Sequence, residues 1–193
     1  MQDQFVELLR HGEAAGGACF RGGQDDPLSP AGMEQMTRAT AQNPGWNAVF
    51  SSPARRCHAF AQQLAAAHDL PIMTLPQLSE RHFGAWEGLT ANQIPAADLI
   101  RFWEDPIDYT PPGAEPFASF RQRVLGAWDA VRTAGAAYPL VVTHGGVIRV
   151  ILAEVLSMPA AATILLEVPP ACLSRVRVPP SPGRPSLIRH GCA

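Results

Sequence analysis

Phe5-Val-Glu-Leu-Leu-Arg-His-Gly-Glu13 is a short apolar run, broken only by Glu7, that stops abruptly at Arg10-His11-Gly12. A loop carrying Gly16, Gly17, Gly22, Gly23 and Pro27 follows, and then Leu28-Ser29-Pro30, where Ser29 is suited to cap a helix that starts at Pro30. Strand, glycine-rich loop and helix in that order open an α/β unit, and such units bind ligands at the carboxyl ends of their strands. An arginine beside a histidine at that place suits phosphoryl chemistry, because the cation neutralises a group that would otherwise repel a nucleophile. Taken alone, the tripeptide also fits a buried strand that stops at a polar turn. A second junction of the same kind, Leu140-Val-Val-Thr-His-Gly-Gly146, favours the chemical reading.

Working outward, apolar runs and breakers alternate along the chain. Strands are expected at residues 5–9, 48–51, 71–75 and 140–143, with helices from Pro30 to about Thr40, from Ser52-Pro53 onward, over 117–134 and over 147–156. In the second of these helices Cys57, Phe60, Ala61, Leu64 and Ala65 fall on one face. Residues 76–116 are interrupted by Gly84, Gly88, Pro95, Pro106, Pro111, Pro112 and Gly113. A connection of that length inside a small domain is usually functional, which marks it as a lid or substrate-binding insert. Residues 164–168 and 173–178 alternate as edge strands do. The expected fold is α/β: a mainly parallel sheet flanked by helices on both faces, as a single domain over 1–178, with a Pro-rich C-terminal tail over 179–193. Both His-Gly junctions then lie on one rim of the sheet.

The composition narrows the partners. The chain has 193 residues, 47% hydrophobic and 17% charged, which describes a globular domain rather than a disordered one. A formal net charge of −2 exerts no global pull on nucleic acid or acidic membranes, so affinity for an anion has to come from a local group of arginines. Cys19, Cys57, Cys172 and Cys192 lack CxxC spacing, and the six histidines form no HxH or HExxH pattern, so neither a metal nor another cofactor is expected. No signal peptide precedes the first strand, and no apolar run approaches the roughly 20 residues of a membrane span. A cytoplasmic setting with free thiols follows, and the partner expected is a small phosphorylated metabolite.

On the shared rim four segments converge: Arg10-His11, Ser51-Ser-Pro-Ala-Arg-Arg56, the loop bearing Glu80, and His144. Arg56 in the first turn of its helix can add a guanidinium fork to a phosphate favoured by the helix terminus, although Arg55 and Arg56 also fit a solvated charged pair. Glu80, in Leu78-Ser-Glu-Arg-His-Phe-Gly-Ala-Trp-Glu-Gly88, suits a general acid kept protonated by partial burial near Phe83 and Trp86. It also fits a surface carboxylate, and Glu87 is a rival for the acid role. Glu13 reads as a loop residue braced against nearby arginines. Cys57 follows Arg56 directly, and burial on the apolar helix face is expected of it.

These motifs, with Asp25-Asp-Pro-Leu-Ser-Pro-Ala-Gly32, stand in the order found in the histidine phosphatase superfamily, and the chain resembles that family from Phe5 to about Val178. The resemblance implies a phosphoglycerate-mutase-like fold and a phosphohistidine formed on His11. It implies that Arg10, Arg56, His144 and Gly145 bind the phosphoryl group, that Glu80 is the proton donor, and that no metal is required. His11 then has to present an unprotonated nitrogen, held in that tautomer by a hydrogen bond to a backbone carbonyl of Gly12 or a neighbour. Two departures bear on the substrate. The loop reads Ala14-Ala-Gly-Gly17 where many relatives carry an asparagine, and Pro111-Pro-Gly-Ala-Glu-Pro116 has Pro116 where a serine often follows the glutamate.

Within the superfamily the chain is most similar to the α-ribazole phosphatases of cobalamin synthesis, through Phe20-Arg-Gly, Gly-Met-Glu-Gln-Met36 and Phe102-Trp-Glu-Asp-Pro106. That likeness implies removal of the 5′-phosphate from α-ribazole phosphate or the corresponding cobalamin phosphate. A flat base wants aromatic walls, for which Phe20, Phe83, Trp86, Phe102 and Trp103 are available. They equally suit a local core of the loops. Arg21, Gly22, Trp86 and Phe102 are the candidate substrate contacts. A broad phosphatase, a phosphoglycerate mutase and a regulatory module that binds a phospho-ligand without turnover are the competing readings. The tail repeats the opening tripeptide as Arg189-His190-Gly191, read as chance and at most as a short edge strand.

Overall fold

The computed structural model describes residues 2–191. Among them six strands form one sheet: β1 (Gln4–Arg10), β2 (Ala48–Ser51), β3 (Ile72–Thr74), β4 (Pro139–Thr143), β5 (Leu173–Val178) and β6 (Ser186–Gly191), in the spatial order β3-β2-β4-β1-β5-β6. The pairs β2–β3, β2–β4 and β1–β4 are parallel, whereas β5 runs antiparallel to β1 and β6 antiparallel to β5. The mainly parallel α/β sheet expected from the alternating pattern is therefore present.

Its central strands are apolar on both faces because both faces are covered. Helices α4 (Phe117–Thr133) and α5 (Gly145–Val155) pack against Val6, Leu8, Phe50, Val141 and Val176. On the other face α1 (Pro30–Ala39) and α2 (Arg55–Ala67) pack against Leu9, Val49, Leu140 and Val142. Ser29 caps α1 by accepting the Gly32 amide at 3.0 Å. The polar interruption in β1 is also explained. Glu7, 1% exposed, accepts the Trp46 indole N–H at 2.8 Å and pairs with Arg175 across the sheet. Arg175 is thereby drawn onto the face of β5 that had read as an exposed edge.

Three sequence expectations are corrected. Residues 164–168 do not form a strand; Ala160–Leu165 is a 3₁₀ helix bounded by Pro159, and the carbonyls of Leu166, Glu167 and Val168 accept bonds from side chains, so they are unavailable to a ladder. Strand β5 is not at the edge, because β6 lies outside it. Helix α5 starts at Gly145, directly after His144, rather than at Val147. The Pro-rich stretch set apart as a tail thus leads back into the sheet through β6; Cys192 lies outside the described residues.

Residues 76–116 hold three short 3₁₀ turns and α3 (Ala96–Glu104). They carry a small core of their own, in which Trp86, Ile94 and Phe102 are buried against Phe20, Phe83 and Tyr109. No helix among the described residues is long and apolar enough to cross a membrane.

Candidate active site

The register of the central pair brings the two His-Gly junctions together. Arg10 on β1 is opposite Thr143 on β4, so the next residue of each strand emerges at the same rim, and the His11 amide donates to the Thr143 carbonyl at 2.9 Å. The His11 and His144 rings meet edge to face with centroids 5.2 Å apart. Gly12 makes room for this turn: a Cβ there would stand 2.2 Å from the Gly32 carbonyl oxygen in α1.

His11 is 9% exposed, and its Nδ1–H donates to the Gly12 carbonyl at 2.7 Å. That bond fixes the tautomer and leaves the Nε2 lone pair free. Burial, above all, lowers the His11 pKa to about 3, and the nearby Arg56, Arg10 and Arg21 push the same way against the opposing Gly12 bond. The ring is therefore neutral at pH 7.

Two guanidinium groups flank it. Arg10 donates through Nη1 to the Val168 carbonyl at 2.5 Å, and Arg56, wholly buried, donates to the Gln24 carbonyl at 2.7 Å and the Gly22 carbonyl at 3.2 Å. The Nε atoms of both are buried without a partner among the described residues. An unsatisfied buried donor is costly, so a pair of them beside a histidine suits an anion. Arg55 is exposed, so the solvated-pair reading holds for it alone. A Cβ on Gly145 would be 3.4 Å from Arg10 Nε, which puts the positive end of α5 beside this guanidinium. His144 is wholly buried, with Nε2 2.8 Å from the Ser52 hydroxyl oxygen. Burial first, then His11 and the arginines, hold its pKa well below the ordinary histidine value. Cys57 Sγ lies 3.7 Å from His144 Nε2, and burial pushes this thiol up to about 12.

Glu80 reaches the same place from the loop after β3. Its Oε1 accepts the Arg81 amide at 2.9 Å and its Oε2 the Gly146 amide at 2.8 Å, in the first turn of α5. It borders a cavity of about 100 Å³ together with Phe83, Phe102, Phe117, Phe120 and Arg149. The surroundings expected for Glu80 are half present. Phe83 lines that cavity, but Trp86, 3% exposed, packs away from it against Phe20, Phe102 and Tyr109.

The Glu87 carboxylate accepts the amides of Gly22, Gly23, Gln24 and Phe83 at 2.7–3.2 Å, so it staples two loops together rather than facing His11. Burial alone would raise its pKa, but the four amide donors outweigh burial and hold it below the ordinary carboxylate value. Arg21 is tied to Asp26 at 2.7 Å and to the Ala15 and Gly17 carbonyls. Gly22 sits so close to Arg81 that a Cβ would be 1.9 Å from its carbonyl oxygen. Phe102 shares its ring between the small core of residues 76–116 and the cavity beside Glu80. Glu13 accepts the Ser29 hydroxyl at 3.0 Å, and among the described residues no arginine is paired with it.

Two contributors escaped the sequence reading. Ser52 reads in the sequence only as part of a helix start, but in the fold it holds His144. Arg123 binds both Glu115 carboxylate oxygens and the carbonyls of Gln77, Ser79 and Glu80, so it sets the backbone at the Glu80 loop. Neither has a local signal, since each acts on a partner far away in sequence. Among the described residues no group of three or more His, Cys, Asp or Glu side chains is placed to hold a metal ion.

A profile of the histidine phosphatase superfamily (branch 1) matches residues 6–191. A bifunctional protein of Mycobacterium tuberculosis is 33% identical over 175 residues, which are 86% of this chain and 48% of that protein. The chain thus spans about half the length of the mycobacterial relatives it matches. The adenosylcobalamin/alpha-ribazole phosphatase of Escherichia coli is 28% identical over 187 residues, covering 89% of this chain and 88% of the relative. Among solved structures, Bacillus stearothermophilus YhfR superposes with a TM-score of 0.88 at 25% identity over 98% of this chain and 97% of its own. The alpha-ribazole phosphatase of Shigella flexneri superposes with a TM-score of 0.85 at 24% identity, over 98% and 96% of the two chains, a likeness of fold.

Proposed function

Because the chain belongs to the histidine phosphatase superfamily (branch 1), we propose that it is a phosphomonoesterase that works through a phosphohistidine and needs no metal ion. The observation that carries this reading is the neutral His11, with its Nε2 lone pair free, beside the unpartnered Nε–H donors of Arg10 and Arg56.

In the first step His11 Nε2 attacks phosphorus in line. An N–P bond forms, the P–O bond to the alcohol breaks, and the departing oxygen takes a proton from Glu80. Arg10, Arg56, His144 and the amide end of α5 at Gly145 hold the phosphoryl oxygens as charge shifts onto them. In the second step water attacks the phosphohistidine, Glu80 takes its proton, and phosphate leaves with His11 restored to the neutral form. Arginines thereby supply the positive charge that metal ions supply in many other phosphatases.

The substrate assigned is α-ribazole 5′-phosphate or the cobalamin 5′-phosphate built from it, and the setting a reducing cytoplasm in which Cys19 and Cys57 stay as thiols. Support comes from the alpha-ribazole phosphatase of E. coli, similar over nearly its whole length, and from the aromatic side chains of the segment 76–116, which we read as a lid. Phe83 and Phe102 are the rings that border the cavity beside Glu80 and are assigned to the leaving alcohol.

The test is phosphate release in EDTA from α-ribazole 5′-phosphate, 3-phosphoglycerate, a nucleoside monophosphate and an aryl phosphate. A preference of a hundredfold or more in kcat/KM for the first, about 2.7 kcal/mol of differential transition-state binding, supports the assignment. Equal rates leave a broad phosphatase. Unchanged turnover in a His11→Ala variant would overturn the covalent route.

A further inference from the structure

The second Arg-His-Gly of the chain, Arg189-His190-Gly191, takes no part in the chemistry above, yet β6 carries its histidine to within one residue of an Arg10 contact. Three consecutive carbonyls each accept a different side chain. Leu166 accepts Arg149 Nε at 2.7 Å, Glu167 accepts His190 Nε2 at 2.7 Å, and Val168 accepts Arg10 Nη1 at 2.5 Å. A carbonyl only accepts, so His190 carries its proton on Nε2, and its Nδ1 accepts the Ser174 hydroxyl at 2.7 Å. Ser174 and His190 resemble a hydroxyl nucleophile and its base, but Ser174 is wholly buried, which leaves it the task of fixing the histidine tautomer.

Residues 166–172 lie between the 3₁₀ helix and β5 with no helix or strand of their own. Their C-terminal end is held to the phosphoryl site: the Arg10 amide donates to the Cys172 carbonyl at 3.0 Å, and the Ala171 amide to the His11 carbonyl at 3.3 Å. Backbone bonds hold the segment from Pro169 to Cys172, whereas over 166–168 it is side-chain donors that hold the carbonyls, that of Val168 and with it the Arg10 guanidinium included.

We propose that His190 is a positioning residue for phosphate binding: by holding the Glu167 carbonyl from the edge strand, it sets the Val168 carbonyl against which Arg10 is aimed at the phosphoryl group. This rests on the role of Arg10 given under the proposed function.

The experiment measures, in the full chain, the competitive Ki of inorganic phosphate together with KM and kcat on an aryl phosphate, for His190→Ala, His190→Asn and His190→Gln. Glutamine places an amide donor where Nε2 stands, whereas asparagine replaces only Nδ1 and keeps a partner for Ser174. The expected result is a rise of about fivefold in phosphate Ki and KM for the Ala and Asn variants, the size of one net hydrogen bond, with kcat within about twofold and recovery in the Gln variant. Thermal melting of each variant separates this from loss of the edge strand. Unchanged Ki in all three, or losses that follow melting temperature rather than the Nε2 donor, would overturn the proposal. Arg10→Ala serves as the reference: if it leaves phosphate Ki unaltered, the anion-binding reading of Arg10 fails and the role of His190 falls with it. If Arg10→Ala weakens phosphate and His190→Ala does not, only the role of His190 is lost.

Discussion

The amide of Gly146 donates to Glu80 Oε2 at 2.8 Å, and a Cβ on Gly146 would stand 2.3 Å from Glu80 Oε1. The first turn of α5 thus holds the carboxylate in space that a side chain at position 146 would fill. In Gly146→Ala, therefore, Glu80 has to move. The expected outcome is a fall in kcat of about a hundredfold, the lower end of what general acid catalysis contributes, with little change in phosphate Ki. Steady-state kinetics beside Glu80→Gln check this: an active Gly146→Ala would mean that the carboxylate works from a shifted position, and an active Glu80→Gln would remove Glu80 from the chemistry.

Arg56 satisfies two loop carbonyls with its Nη atoms while its buried Nε has no partner among the described residues. A lysine has one nitrogen in place of these three. Arg56→Lys is expected to keep the net charge, lose about a hundredfold or more in kcat/KM, and raise the Ki of inorganic phosphate. Near-normal kinetics would mean that charge alone suffices.

His11 should make stability depend on pH in a defined direction. Its folded pKa of about 3 lies below the unfolded histidine value of about 6.5, so the unfolded chain binds more protons between those limits. Its contribution is fully present above pH 6.5 and is lost as pH falls toward 3. From pH 7 to pH 5 the loss amounts to about 2 kcal/mol from this one site. His144, shifted in the same direction, adds to it. Urea denaturation at the two pH values, compared with His11→Gln, should show a smaller loss in the variant.

Glu87 accepts four amides of two loops. Glu87→Gln is expected to destabilise the fold by about 1.5–3 kcal/mol, the range for bonds to a charged group, while the pH profile of kcat keeps its shape. A lost basic limb in that profile would instead make Glu87 the proton donor.

How much of this was legible depends on the range of the interactions. Residues 48–51 and the helix cap at Ser29 were readable because period, turn residues and capping are local. Residues 164–168 alternate like a strand but are not one, because their carbonyls are claimed by Arg149, His190 and Arg10 from distant parts of the chain. Trp86 and Phe102 read equally as ligand walls and as loop core. Packing against Phe20 settled Trp86 as core and left Phe102 facing both ways.

By itself the sequence determined the alternation of strands and helices, the two His-Gly junctions and hence the rim on which they had to lie. Those follow from short-range periodicity and from the rule that parallel strands end on one side. Only the tertiary structure decided which polar groups are spent on the fold and which keep an unused donor. Arg21 is taken up by Asp26 and two loop carbonyls and Glu87 by loop amides, while Arg10 and Arg56 each keep a buried Nε without a partner among the described residues. That division is set by burial and by hydrogen bonds between residues far apart in the chain, such as Arg10 to Val168 and His190 to Glu167, and no local pattern records it.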